Sequence, residues 1–145
     1  MDFQAYNKIL ICGDEIVIVK AGNVTIGYEF KIKYPSYRGV FLSCIEKLEF
    51  YLDGVPVDKQ NIFFYLNGKQ FLIDELPELF KEYWFISDKA AIRVIDPRGL
   101  EAGTHEVRVF MRHRVPYTGY FGEYLVLDSD EQKSLTVSAV QGVLA

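Results

Sequence analysis

Val24-Thr25-Ile26-Gly27-Tyr28-Glu29-Phe30-Lys31-Ile32-Lys33-Tyr34 is the stretch on which the fold turns. Val24, Ile26, Tyr28, Phe30, Ile32 and Tyr34 alternate with small or polar residues, which is the period of a strand with one buried face. Pro35 ends the run. Upstream, residues 15–20 form a β-branched run, and Ala21-Gly22-Asn23 supplies turn residues between the two. Downstream the same rhythm recurs. Residues 44–52 read as a strand closed by Asp53-Gly54, and residues 61–66 run into Asn67-Gly68, with another strand over 69–73. An Asn-Gly pair between apolar runs marks a tight hairpin, because both central turn positions need positive φ. Residues 91–95, 104–112 and 133–140 complete the set, with Val107, Val109 and Met111 on one face and Leu135, Val137 and Ala139 on another. One short helix is expected after Asp74 as N-cap, with Pro77 in its first turn and Leu76, Leu79, Phe80, Tyr83 and Trp84 on one face. Roughly nine strands with no strand–helix–strand rhythm predict an all-β fold: an antiparallel β-sandwich with one short helix. The 145 residues suit a single domain over 1–145.

Composition narrows the function classes. A net charge of −4 argues against general nucleic-acid binding, which needs a basic face to displace counterions. No apolar run is long enough to span a bilayer as a helix, and Met1-Asp2-Phe3-Gln4 lacks the basic start of a signal peptide. Cys12 and Cys44 form neither a CxxC pair nor a disulfide framework, so a cytoplasmic location with both thiols reduced and buried is expected. Aromatics make up 15% of the residues, a surplus that suits strands and protein interfaces.

Catalytic chemistry is hard to find. The only histidines, His105 and His113, lie eight apart on one expected strand. At about 3.3 Å per residue they stand more than about 20 Å apart and cannot share a metal ion. Each is read as structural, with His105 packing and hydrogen-bonding at a corner of the sheet. Glu46 and Glu49 should face opposite sides of a strand, which rules out an acid/base pair. Asp128, Asp130 and Glu131 flank what reads as a polar turn, a solvated loop in preference to a calcium site. Ser43-Cys44 lacks a nearby histidine in sequence, so it is expected to be a buried small pair and not a nucleophile. No catalytic residue and no metal ligand is assigned to this chain.

One segment differs in kind. Arg112-His113-Arg114-Val115-Pro116-Tyr117-Thr118-Gly119-Tyr120-Phe121-Gly122-Glu123-Tyr124 combines basic side chains, turn residues and four aromatics. It reads either as a hairpin loop covering the core edge or as an anchor for a partner protein, because Tyr, Phe and Arg dominate interface hot spots. Tyr34-Pro35-Ser36-Tyr37-Arg38-Gly39 has a similar mix and could join the same surface. The expected partner surface is therefore Tyr37, Arg38, Arg112, Arg114, Tyr117, Tyr120 and Phe121, with Arg114 and Tyr117 the candidates for proximity to a substrate.

The chain as a whole resembles the small β subunit of bacterial C-glycoside deglycosidases. The likeness is carried by Arg38-Gly39 and Ser43, Ile45-Glu46, Leu52-Asp53-Gly54, and Leu66-Asn67-Gly68-Lys69-Gln70-Phe71. It continues through Glu75-Leu76, Trp84, Gly99-Leu100-Glu101-Ala102-Gly103-Thr104-His105-Glu106-Val107 and the 112–117 stretch. Each motif is weak alone; their order and spacing are more telling. The resemblance implies a β-sandwich subunit bound to a larger TIM-barrel α subunit, in a hetero-oligomer with several copies of each chain. It implies that the α subunit holds a divalent metal, typically Mn²⁺, and the acid/base histidine, with no cofactor in this chain. The reaction implied is cleavage of the C–C bond between a 3-oxo-glucosyl group and an aromatic aglycone such as a flavonoid. The competing reading is a free-standing carbohydrate-binding sandwich, in which Trp84 and surface tyrosines stack on sugar rings.

Overall fold

The computed structural model describes residues 9–36, 38–115 and 125–143, with side chains described as far as residue 137. The strands are β1 (Ile11–Ala21), β2 (Val24–Lys33), β3 (Val40–Phe41), β4 (Ile45–Leu52), β5 (Val55–Pro56) and β6 (Ile62–Leu66). They continue with β7 (Lys69–Leu72), β8 (Tyr83–Trp84), β9 (Lys89–Ile95), β10 (Thr104–Val115) and β11 (Leu125–Val143). Nine of them form one sheet in the order β5-β4-β10-β11-β1-β2-β9-β6-β7, and β3 and β8 make a separate two-stranded ribbon. The fold is all-β. The sheet is mixed at one seam, because β1 runs parallel to β11. Parallel neighbours need a long connection, and here most of the chain supplies it.

This sheet builds two layers by curling over itself. β2 and β4 stand four positions apart in the sheet order, so a flat sheet would separate them by about 19 Å at ~4.8 Å per strand. Yet the Phe30 and Phe50 ring centroids are 5.8 Å apart, and Tyr34 touches His113 of β10. The buried faces of the two halves therefore meet, as the layers of a sandwich do. Trp84, Tyr34, Phe64, Ile32 and Met111 are among the largest fully buried side chains. Truncating a core aromatic of this kind costs about 3–5 kcal/mol.

The alternation in β2 holds where it matters. Tyr28, Phe30, Ile32 and Tyr34 are buried, whereas Val24 is 64% exposed beside the turn. Gly27 explains one irregularity, because a Cβ there would lie 1.8 Å from the Val94 carbonyl oxygen where β2 meets β9. The Asn67-Gly68 hairpin is present between β6 and β7, with φ of 56° and 72° at the two turn residues. Asp53-Gly54 does the same between β4 and β5, with φ of 49° and 81°.

Two elements differ from the sequence reading. The expected helix after Asp74 is a six-residue 3-10 turn, Ile73–Glu78. Asp74 pairs with Lys59 at 2.8 Å instead of capping, and Glu75 accepts the Leu72 N–H at 2.9 Å. Pro77 has no N–H to extend the turn. Tyr83 and Trp84 then pair with Phe41 and Val40 as β8, where Trp84 is buried against Tyr34 and Phe64 and Phe80 is 67% exposed. Burial of the indole and its N–H bond to the Asp88 carbonyl oxygen at 2.9 Å outweigh the helical spacing. The second difference is β11. Asp128, Asp130 and Glu131, read as flanking a polar turn, lie within a 19-residue strand.

Candidate functional site

β10 organises the functional side chains by its pleat. Val107, Val109, Met111, His113 and Val115 point into the core, which sends Arg108, Phe110, Arg112 and Arg114 to the outer face. There the acidic run of β11 meets them. Arg112 forks onto Asp128 at 2.8 and 3.1 Å, and Arg108 onto Asp130 at 2.9 and 2.6 Å. This cross-strand pairing is why Asp128 and Asp130 sit in a strand and not in a turn or a calcium loop. The Arg112 guanidinium holds Asp128 below the usual carboxylate range. Arg114 donates to Glu46 at 3.3 Å and to the Ser43 carbonyl oxygen at 3.1 Å. Two of the three arginines assigned to the partner surface, Arg112 and Arg114, are thus engaged within the sheet and would meet a partner by exchanging these bonds.

Glu46 and Glu49 do not face opposite sides. A register shift between Arg112 and His113 accommodates an extra residue in β4, and both glutamates end up beside cations, Arg114 and Lys47 respectively. Glu131, from the same acidic run, accepts the Ile11 N–H at 2.6 Å; burial pushes its carboxyl up. Cys44 is buried in a 3-10 turn, Leu42–Cys44, and burial pushes its thiol up, which makes it a poor nucleophile. Cys12 is half-buried and is shifted up for the same reason. It lines an open cavity of about 460 Å³ where β1 parts from β2, together with Asp14, Glu15, Glu29, Lys31 and Lys89. Charges of both signs line this cavity, and among its described residues the Cys12 thiol is shifted up, away from the thiolate form.

The two histidines occupy opposite environments. His113 is fully buried, with Nδ1 2.6 Å from the Tyr34 hydroxyl and Nε2 3.2 Å from the Ser129 hydroxyl. Burial pushes its pKa down to about 4, against a small opposing pull from Asp128, so the ring is neutral at physiological pH. His105 stands at the edge, 2.7 Å from Asp53 and 2.8 Å from the Glu101 carbonyl oxygen. Each ring is thus hydrogen-bonded on both nitrogens, His105 at a corner of the sheet. Among the described residues no group of three or more His, Cys, Asp and Glu side chains is placed to hold a metal ion. Nor is any helix of the described residues long and apolar enough to cross a membrane.

An exposed aromatic cluster also lies outside the two segments expected to form the partner surface. Tyr37, Tyr117, Tyr120 and Phe121 fall outside the described residues. Tyr34 is buried in the core and Arg38 is exposed. The next residue, Gly39, lies against Tyr83: a Cβ at Gly39 would meet the Tyr83 ring at 2.8 Å and the Trp84 carbonyl oxygen at 2.3 Å. From there Tyr83 contacts Phe41 and Phe85, with ring centroids 5.0 and 4.7 Å apart. Phe41, Phe85 and Ile86 are 44%, 56% and 40% exposed, so the β3/β8 ribbon shows solvent a contiguous apolar cluster. Single exposed apolar residues are ordinary, but clusters mark interaction sites. Sequence reasoning missed it by placing Tyr83 and Trp84 of Tyr83-Trp84-Phe85 on a helix face. Read with period two, the same tripeptide puts Trp84 inside and its neighbours outside.

A family model described as "C-glycoside deglycosidase beta subunit" matches residues 6–117. The chain is 37% identical over 91 residues to the "C-glycoside deglycosidase beta subunit" of Eubacterium cellulosolvens, covering 62% of each chain. It is 29% identical over 132 residues to the "3'-dehydrocarminate deglycosidase beta subunit" of a Microbacterium species, covering 91% of this chain and 96% of that one. A "C-glycoside deglycosidase beta subunit" of Microbacterium trichothecenolyticum is 31% identical over 111 residues, covering 76% of this chain and 82% of its own length.

Proposed function

This chain belongs to the C-glycoside deglycosidase beta subunit family, and from that premise we propose that it is the small subunit of a heteromeric carbon–carbon lyase. Its partner is a TIM-barrel α subunit holding a divalent metal, Mn²⁺ in type, and the acid/base histidine. The complex, assembled from several copies of each chain in the cytoplasm, cleaves the bond between a 3-oxo-glucosyl group and a flavonoid-type aglycone. In that reaction a sugar carbonyl acidifies the adjacent C–H, and loss of that proton expels the aglycone as a carbanion that takes up a proton. The partner's divalent metal would supply Lewis-acid polarisation of the carbonyl. The match over residues 6–117 carries the reading. The hydrogen-bonding state of both histidines fits it, since each ring is committed to structural partners. The carbohydrate-binding alternative loses its main anchor, because Trp84 is 0% exposed and cannot stack on a sugar.

The partner-facing surface is proposed to include Arg38 and the exposed cluster Phe41, Tyr83 and Phe85, extended by Tyr37, Arg112, Arg114, Tyr117, Tyr120 and Phe121. Arg114 and Tyr117 are the proposed substrate-proximal pair. Co-expression with a TIM-barrel α subunit of this enzyme family, followed by size-exclusion chromatography and a cleavage assay on a 3-oxo-C-glucoside, tests the whole. Separate elution at micromolar concentration would end the subunit reading; a stable complex without cleavage would end the assigned reaction. For the surface, Tyr83→Ser with Phe85→Ser should weaken association at least tenfold, about 1.4 kcal/mol, while the circular dichroism spectrum of the chain is unchanged. Unaltered affinity would move the interface elsewhere.

A further inference from the structure

His105 faces two groups that can only accept. Its Nδ1 lies 2.7 Å from Asp53 Oδ2 and its Nε2 2.8 Å from the Glu101 carbonyl oxygen. A neutral imidazole has one N–H and one lone pair, so it would turn the lone pair against one of these oxygens. Only the doubly protonated ring donates to both. His113 shows the contrast: its two partners are the hydroxyls of Tyr34 and Ser129, which can donate or accept, and a neutral ring satisfies them.

We propose that His105 is held as the imidazolium at neutral pH and acts as a pH-sensitive clasp, tying the loop before β10 to the β4–β5 turn and releasing it on deprotonation. The Asp53 side of the clasp is built for a charge. Asp53 Oδ1 takes the Glu106 N–H at 2.9 Å while Oδ2 takes His105, and the Asp53 N–H donates to the Glu106 carbonyl oxygen at 2.8 Å. Asp53 holds this arrangement with φ of 49°, a backbone state that asparagine and aspartate tolerate better than most residues. From the loop side come the Glu101 carbonyl oxygen and carboxylate. On β10 itself the Glu106 carboxylate is occupied by Gln132 and by Ser134 at 2.8 Å. β11 sets Leu135 opposite His105 and brings no charge. The Tyr28 phenol of β2 feels the charge of Asp53, and those of Asp96 and Arg98. The charged groups nearest the ring, Asp53 and Glu101, are both acidic and favour a cation.

The direction of the pH response follows from both partners. The hydrogen bond to Asp53, then that to the Glu101 carbonyl oxygen, raises the His105 pKa. The hydrogen bond from His105, then that from the Glu106 N–H, lowers the Asp53 pKa. The His105 contribution is therefore complete below the ordinary histidine value of about 6.5 and is lost as pH rises through the higher folded value. The Asp53 contribution is complete above the ordinary value of about 3.9 and is lost as pH falls through the lower folded value. Between them the clasp is at full strength.

Because the chain has two histidines, ring-labelling the untagged full-length protein with ¹³C and ¹⁵N yields two sets of signals, and His105→Gln assigns them. At pH 7 the His105 ring should show both nitrogens protonated, with a titration midpoint above about 6.5 that Asp53→Asn lowers. Amide exchange of Gly103 and Glu106, corrected for intrinsic base catalysis, should accelerate as pH passes that midpoint in the wild type. In His105→Gln it should be fast and show no such step. A neutral His105 ring at pH 7, or a midpoint at or below the ordinary value, overturns the proposal. A charged ring with no change in loop exchange overturns the clasp.

Discussion

Acidification from pH 7 to pH 5 should destabilise this protein through His113. The ring is sealed in the core between the Tyr34 and Ser129 hydroxyls, and its pKa of about 4 lies well below the unfolded value of about 6.5. At pH 5 the unfolded chain carries a proton on this residue and the folded chain mostly does not. Because the unfolded state binds more protons, stability falls as pH falls through this window, by roughly 2 kcal/mol between pH 7 and pH 5. That is a large share of the ~5–15 kcal/mol that holds a domain folded. Urea unfolding followed by fluorescence reads it directly, since the single tryptophan, Trp84, packs 5.7 Å from Tyr34 in the same cluster. His113→Gln should flatten the pH dependence over this range by roughly the same 2 kcal/mol. The raised His105 and the lowered carboxylates Asp53, Asp96 and Glu106 remain in both proteins and cancel in the difference, and Asp128, held low mainly by Arg112, changes only by its small coupling to His113. Equal slopes for wild type and variant would refute the assignment of a neutral, desolvated His113.

Gly27→Ala should be among the most damaging single-methyl additions to the chain. The new Cβ would sit 1.8 Å from the Val94 carbonyl oxygen, and the β2–β9 ladder must open to admit it. A loss of about 1–3 kcal/mol in thermal or urea unfolding is expected, and a loss below about 0.5 kcal/mol would show that the strands part without cost. By contrast, Arg112→Ala should leave stability almost unchanged, because the Asp128 pair is solvent-exposed and screened. That measurement belongs in both low and high salt, where any effect should shrink as ionic strength rises.

The two-residue period of Tyr28, Phe30, Ile32 and Tyr34 and the positive-φ chemistry of Asn67-Gly68 were legible from the sequence, because both are local properties of the backbone. The same is true of the structural histidines, whose separation along one strand forbids a shared site. Other features depend on what arrives from far along the chain. Trp84 lies in a strand because Tyr34, Phe64 and Val40 offer it a buried slot, although its spacing from Leu76 and Phe80 is helical. Asp128 and Asp130 are strand residues because Arg112 and Arg108, 16 and 22 positions away, neutralise them across a ladder. The exposed cluster of Phe41, Tyr83 and Phe85 exists only once that ribbon has formed. The family likeness was also readable in order and spacing of motifs. What tertiary structure alone decided was the curl that stacks Phe30 on Phe50, the parallel β1/β11 seam, and the different hydrogen-bond partners of the two histidines. Those depend on non-local burial and on whether the atoms facing a ring donate or accept, which no local window of residues contains.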